Sequence, residues 1–240
     1  MRLAPVFVGV LLAVVACDDM AEPADDATLG QTGQLEQGIA LDHPAIVAWA
    51  ANWEAPVAWG TDVDPQWRLP GEAVGPATGD PAAVVSLGNG GIITLVFETA
   101  FGDADGPDLA VYENGFNDTF LELAFVEVSS DGERFVRFPN EYEGTEPVAA
   151  FGAHDAALIH GLAGKYRRGL GTPFDLAALA DHPAVIDGRV DLQAIRYVRL
   201  VDVIGDGTMR DTAGNPIYDP TPSVGTGGFD LDGVAVMRAR

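Results

Sequence analysis

Apolar and polar positions alternate along much of this chain with a period of two. In GIITLVFE, residues 91–98, Ile93, Leu95 and Phe97 fall on one side, the pattern of a half-buried strand. DLAVYE follows after a Gly-Pro turn. LAFVEVSSDGERFVRFP reads as two strands joined at a Ser-Asp-Gly turn, residues 130–132, a hairpin signal. AIRYVRLVDV and GFDLDGVAVM predict two further strands.

Helical spacing is scarce. TPFDLAALADHPAV is the best helix candidate, with Thr172 as cap, Pro173 in the first turn, and Leu176 and Leu179 on one face. HPAIVAWAANWEAPVAW fits either a short helix or a strand and a turn. Short strands separated by glycine-rich turns, with no fixed-period repeat, predict an all-β fold. The expectation is an antiparallel β-sandwich with one or two short helices.

The N-terminus breaks this pattern. Arg2 precedes an apolar run from Leu3 to Val15, and Ala16 precedes the single cysteine, Cys17. A charged start, a short apolar core and a small-residue cleavage site describe an export signal. At about 13 residues the run is too short for a comfortable membrane span. The run resembles the lipobox of bacterial lipoproteins, which implies lipidation of Cys17 after removal of residues 1–16. Residues 17–40 are polar and acidic, suited to a flexible tether, and 41–240 are expected to form the sandwich domain. With no second cysteine, an internal disulfide is excluded.

Charge adds a constraint. The formal net charge is −23, which repels nucleic acid and anionic headgroups and attracts cations. Asp103, Asp105, Asp108 and Glu113 lie within eleven residues, bent by Gly106 and Pro107. An EF-hand is excluded, because its fifth position would be Pro107 and its twelfth Asn114. Any ion must therefore borrow ligands from elsewhere. Asp230 and Asp232 alternate with Phe229 and Leu231, so a regular strand places both carboxylates on one side, about 7 Å apart. Val234 and Val236 continue that side. The candidate calcium ligands are Asp105, Asp108, Glu113, Asp230 and Asp232. Aspartates in such turns also bond backbone N–H groups without any ion. A later acidic stretch, with Asp202, Asp206, Asp211 and Asp219, reads as a solvated loop.

Nothing points to catalysis. There is no Gly-x-Ser-x-Gly, and His43, His154, His160 and His182 show no zinc spacing. Binding has more support. The four tryptophans fall between residues 49 and 67. Trp49 is assigned to the core, while Trp59 and Trp67 are candidate platforms for a flat ligand. GKYRRGLG carries Lys165, Tyr166, Arg167 and Arg168, a basic and aromatic loop fit for an anionic or polyhydroxyl ligand.

VVSLGNGGIITLVFE, DGPDLAVYENGF, ELAFVEVSSDGERFVRFP, AGKYRRGLGTPFDLAAL and GGFDLDGVAV, in this order, resemble a group of bacterial secreted and cell-surface proteins. The likeness runs from about Gly71 to Met237. It implies a jelly-roll sandwich of the kind used by carbohydrate-binding modules, and is similar, more distantly, to surface lipoproteins that capture cobalamin. The expected function is a lipid-anchored, non-enzymatic binding protein outside the cytoplasm, held to a bacterial membrane through Cys17. A glycan is its first expected ligand and a corrinoid its second. A structural protein with a surface-protein partner is the alternative class, and a glycoside hydrolase a third.

Overall fold

The computed structural model describes residues 37–238. The expected export signal, the expected lipidation site Cys17 and most of the expected tether lie outside the described residues. In chain order the strands are β1 (Ile39–Ala40), β2 (Ile46–Trp49), β3 (Asn52–Trp53), β4 (Val85–Ser86) and β5 (Ile92–Phe101). Next come β6 (Leu109–Glu113), β7 (Ala124–Ser129), β8 (Val136–Arg137), β9 (Glu141–Tyr142) and β10 (Ile159–His160). The last are β11 (Leu170–Phe174), β12 (Ile195–Asp202), β13 (Asp206–Arg210), β14 (Pro216–Tyr218) and β15 (Asp230–Met237). β1 already belongs to the domain, although composition assigned residues 39–40 to the tether.

Two antiparallel sheets face each other. One has the order β1-β11-β6-β15-β2, with β4 also on β15, and the other the order β3-β5-β12-β7-β8. The chain crosses between them at each major strand: β5, β6, β7, β11, β12 and β15 alternate sheets. That alternation is the jelly-roll form of the β-sandwich. Ile93, Leu95 and Phe97 of β5 meet Leu109 and Val111 of β6 in the main core. Phe138 and Phe174 pack there with ring centroids 5.0 Å apart. Fully burying such side chains stabilises the fold by about 1.5–3 kcal/mol each. Trp49 packs on the outer face of the first sheet, 5.3 Å from the Tyr112 ring.

The hairpin forms as the sequence predicts, with Glu127 opposite Arg137 and Val128 opposite Val136. Its turn is held by Asp131, which accepts from the N–H groups of Glu133 and Arg134, and by Gly132 at φ 78°.

Two expectations change. The helix expected from Thr172 is instead the end of β11 followed by a 3-10 turn, Leu176–Leu179, and one short helix, α1 (Pro183–Ile186). Thr172 and Phe174 pair with β6, and Phe174 enters the core. Sheet pairing and burial outweigh local helix preference, and Asp175 rather than Thr172 is the cap. The second change lies in β15. Leu231 pairs with Glu113 but Gly233 with Tyr112, so Asp232 is an extra residue in a β-bulge. The bulge resets the alternation: Phe229, Leu231, Val234 and Val236 all enter the core. Asp230 and Asp232 therefore do not share the side of Val234 and Val236.

Candidate functional site

The expected calcium ligands do not form one site. β6 and β15 run antiparallel, so Asp108 lies at one end of the pair and Asp230 at the other. Five strand steps separate Asp108 from Glu113, about 16 Å. Asp232 is elsewhere again: Oδ1 accepts from the Thr78 N–H at 2.9 Å and Oδ2 from the Gly79 N–H at 2.7 Å. It secures the 78–79 turn against the sheet. Asp105 is exposed.

At the Asp108 end, Asp103, Asp108 and Asp175 bring ligand oxygens within 4.8 Å of one another, a group that could hold a metal ion. The fold assembles it from three segments. Asp103 follows β5, and its N–H donates to Leu192 O. Asp108 opens β6, its carboxylate accepting from Ala104 N–H at 3.0 Å and Leu176 N–H at 2.8 Å. Asp175 follows β11 and caps the 3-10 turn through Ala177 N–H at 2.8 Å. Asp103 Oδ1 is buried with no hydrogen-bond partner. Burial raises the pKa of all three, Asp108 to about 7, and nearby carboxylates raise them further. A cation would relieve this repulsion. Sequence reasoning passed over Asp103 in favour of the exposed Asp105, and missed Asp175 because it was read inside a helix.

The other end holds a second acidic set: Glu113, Glu122, Asp202, Asp219 and Asp230, all buried. Asp202 and Asp219 were expected in a solvated loop. Instead Asp202 ends a central strand and is tied to Gly90 N–H and Phe229 N–H, both at 2.6 Å. Asp219 accepts from Leu123 N–H, and His154 Nε2 lies 3.3 Å from its Oδ1. Burial, then the neighbouring carboxylates, push Glu113, Glu122 and Asp202 well above the usual carboxylate range. Burial does the same to Asp219 and lifts Asp230 to about 7. Burial also holds His154 down at about 4, hence uncharged near neutrality.

Beside this set opens a cavity of about 300 Å³. Glu122 and Asp230 line it together with Phe116, Phe120, Phe151 and Val224. Phe116, Phe151 and Val224 are 62%, 80% and 68% exposed, and Phe120 stacks on Phe151 at 6.0 Å. Asp230 Oδ2 accepts from Asn114 Nδ2 at 3.2 Å. Asp230 Oδ1 is buried without a partner. The Ser86 hydroxyl is near enough to lower the pKa of Asp230 but does not reach hydrogen-bond geometry with it.

The sequence-predicted ligand residues lie outside this cavity. Trp59 packs against the main core, with the Arg68 guanidinium 5.9 Å from its ring. Trp67 ends a 3-10 turn, half-buried. The 165–168 loop comes closer. Arg168 N–H donates to Gly115 O, and Arg167 pairs with Asp118 at 3.5 Å, both well exposed. Lys165 and Tyr166 are half-buried, Tyr166 packing beside Gly38. The phenylalanines carried no signal in the sequence beyond their loop positions, and Glu122 only that of an acid between two leucines.

No helix among the described residues is long and apolar enough to cross a membrane. No family model matches the chain, and the comparisons with curated proteins and with solved structures found no match.

Proposed function

We propose that this chain is a non-enzymatic binding protein, lipid-anchored through Cys17 and working outside the cytoplasm. Its jelly roll presents a small-ligand cavity at one end of the β6–β15 pair and is braced at the other by a divalent ion, calcium. The carrying observation is the cavity, with its exposed Phe116 and Phe151 and its buried carboxylate floor. Soluble proteins seldom leave large apolar side chains clustered at a concave mouth unless something covers them. A volume of about 300 Å³ suits a single sugar ring. A corrinoid, several times larger, could only rest across the rim.

Calcium follows from the all-oxygen donor set of Asp103, Asp108 and Asp175. Carbonyls and water would complete the six to eight ligands it takes. Thermal melts with calcium and with chelator test the ion, and a monosaccharide panel followed by calorimetry tests the cavity. An unchanged melting temperature removes calcium, and silence across the panel removes the binding reading. The exposure of Phe151 also favours a second reading, a surface protein with a protein partner. Pull-down with the Phe151→Ala variant as control separates it.

A further inference from the structure

The cavity floor holds two buried carboxyls whose ionised forms nothing in the apolar rim stabilises. Asp230 is only 3% exposed, yet one of its carboxylate oxygens makes no hydrogen bond. A buried acceptor left unpaired is costly, the more so when charged. Glu122 lines the same cavity, and of the neighbouring acids Asp230 acts on it most strongly. Asn117, Ser223 and Thr226, also in the lining, bring no positive charge.

Two cations could answer this charge. A bare metal ion needs several oxygens converging on one point. Among the described residues only Asp103, Asp108 and Asp175 meet that demand within 4.8 Å. The oxygens around Asp230 are spread more widely, and the cavity in front of them is far larger than an ion. An ammonium on a larger body fits both facts. Its N–H donors would meet the Asp230 and Glu122 carboxyls that line the cavity, its charge would favour their ionised forms, and its apolar face would lie on Phe116 and Phe151.

We infer that the cavity binds a primary ammonium carried on a ring-sized body, of the free amino-sugar kind, with Asp230 and Glu122 taking the ammonium and Phe151 the ring. This rests on the small-ligand reading above and narrows it to a cationic ligand. The formal net charge of −23 supports it by concentrating cations at the surface.

The test is calorimetric titration of the whole protein, in calcium at pH 7, with D-glucosamine, D-glucose and N-acetylglucosamine. The three share a ring and differ in the charge at C2. Glucosamine is expected to bind at least tenfold more tightly than either neutral sugar. Asp230→Asn should remove that preference, and Phe151→Ala should weaken glucosamine tenfold while leaving the melting temperature unchanged. Equal binding of all three sugars overturns the ammonium assignment and leaves the binding reading standing. Silence of all three, with phenethylammonium also silent, overturns both. Displacement of glucosamine by excess calcium through Asp230 overturns the assignment in favour of a second metal site.

Discussion

Asn114 Nδ2 donates to Asp230 Oδ2 across 3.2 Å and to Pro81 O at the same distance, tying the end of β6 to the start of the last strand. Asn114→Ala removes both bonds and leaves Asp230 with neither oxygen paired. A loss of about 1–3 kcal/mol in denaturant unfolding is expected. Asp230→Asn should act oppositely. At pH 8 it deletes a buried charge among four other acids and should raise the melting temperature. At pH 5, where Asp230 is already protonated, it should change little. A fall at pH 8 would contradict this account.

The raised carboxylates fix the sign of the pH response. Asp108 and Asp230 titrate near 7 when folded, far above the ordinary aspartate value. Between those limits the folded protein holds protons that the unfolded chain has released, so raising the pH favours unfolding. The stability these two groups contribute without metal is fully present below the unfolded pKa and is lost as the pH climbs through about 7. His154, held down at about 4, works the other way below its unfolded value, and the lowered Asp62, Asp131, Asp206 and Asp211 do so only in more acid solution, below the ordinary aspartate value. Melts in chelator should give a lower midpoint at pH 8 than at pH 5.

Calcium should reverse part of that loss. Its binding competes with protons on the same oxygens, so the calcium-induced rise in melting temperature should be larger at pH 8 than at pH 5. Asp108→Asn should abolish the rise and Asp175→Asn should reduce it. Asp232→Asn should leave it intact, because that side chain serves the Thr78–Gly79 turn. Retention of the full rise by Asp108→Asn would place the ion elsewhere.

Two glycines in one loop separate conformational strain from collision. Gly169 has φ 84° with open space where a side chain would go, whereas Gly164 has φ 86° and a Cβ would stand 1.9 Å from Glu122 O. Gly169→Ala should cost about 1 kcal/mol, the strain of a left-handed backbone. Gly164→Ala should cost at least twice that and also weaken ligand binding, since Glu122 must shift. Urea titrations of the two variants make the comparison.

The sandwich was legible because β5 carries its burial in plain alternation, β7 and β12 are rich in β-branched and aromatic residues, and Ser130-Asp131-Gly132 marks the turn after β7. The 3-10 segment after β11 was not, since nothing local reveals that Thr172 pairs with Val111. The acidic loop 103–108 was rightly singled out as a place where carboxylates gather. Asp175, its third member, comes from a strand end nearly seventy residues away. Asp202 and Asp219 looked like loop acids because their burial depends on packing against residues such as Gly90 and Leu123. The bulge at Asp232 escaped for the same reason: an inserted residue is visible only against the partner strand.

That bulge lets one strand be read in two phases. Upstream of Asp232 the odd-numbered residues face the core, and downstream the even-numbered ones do. A point substitution at Asp232 changes a side chain but leaves both phases in place. A one-residue deletion there would remove the bulge and join the two phases into one regular alternation, with Leu231, Val234 and Val236 still toward the core and the carboxylate that holds the Thr78–Gly79 turn lost. The extra residue thus serves the neighbouring turn, while the core-facing register of the strand does not depend on it.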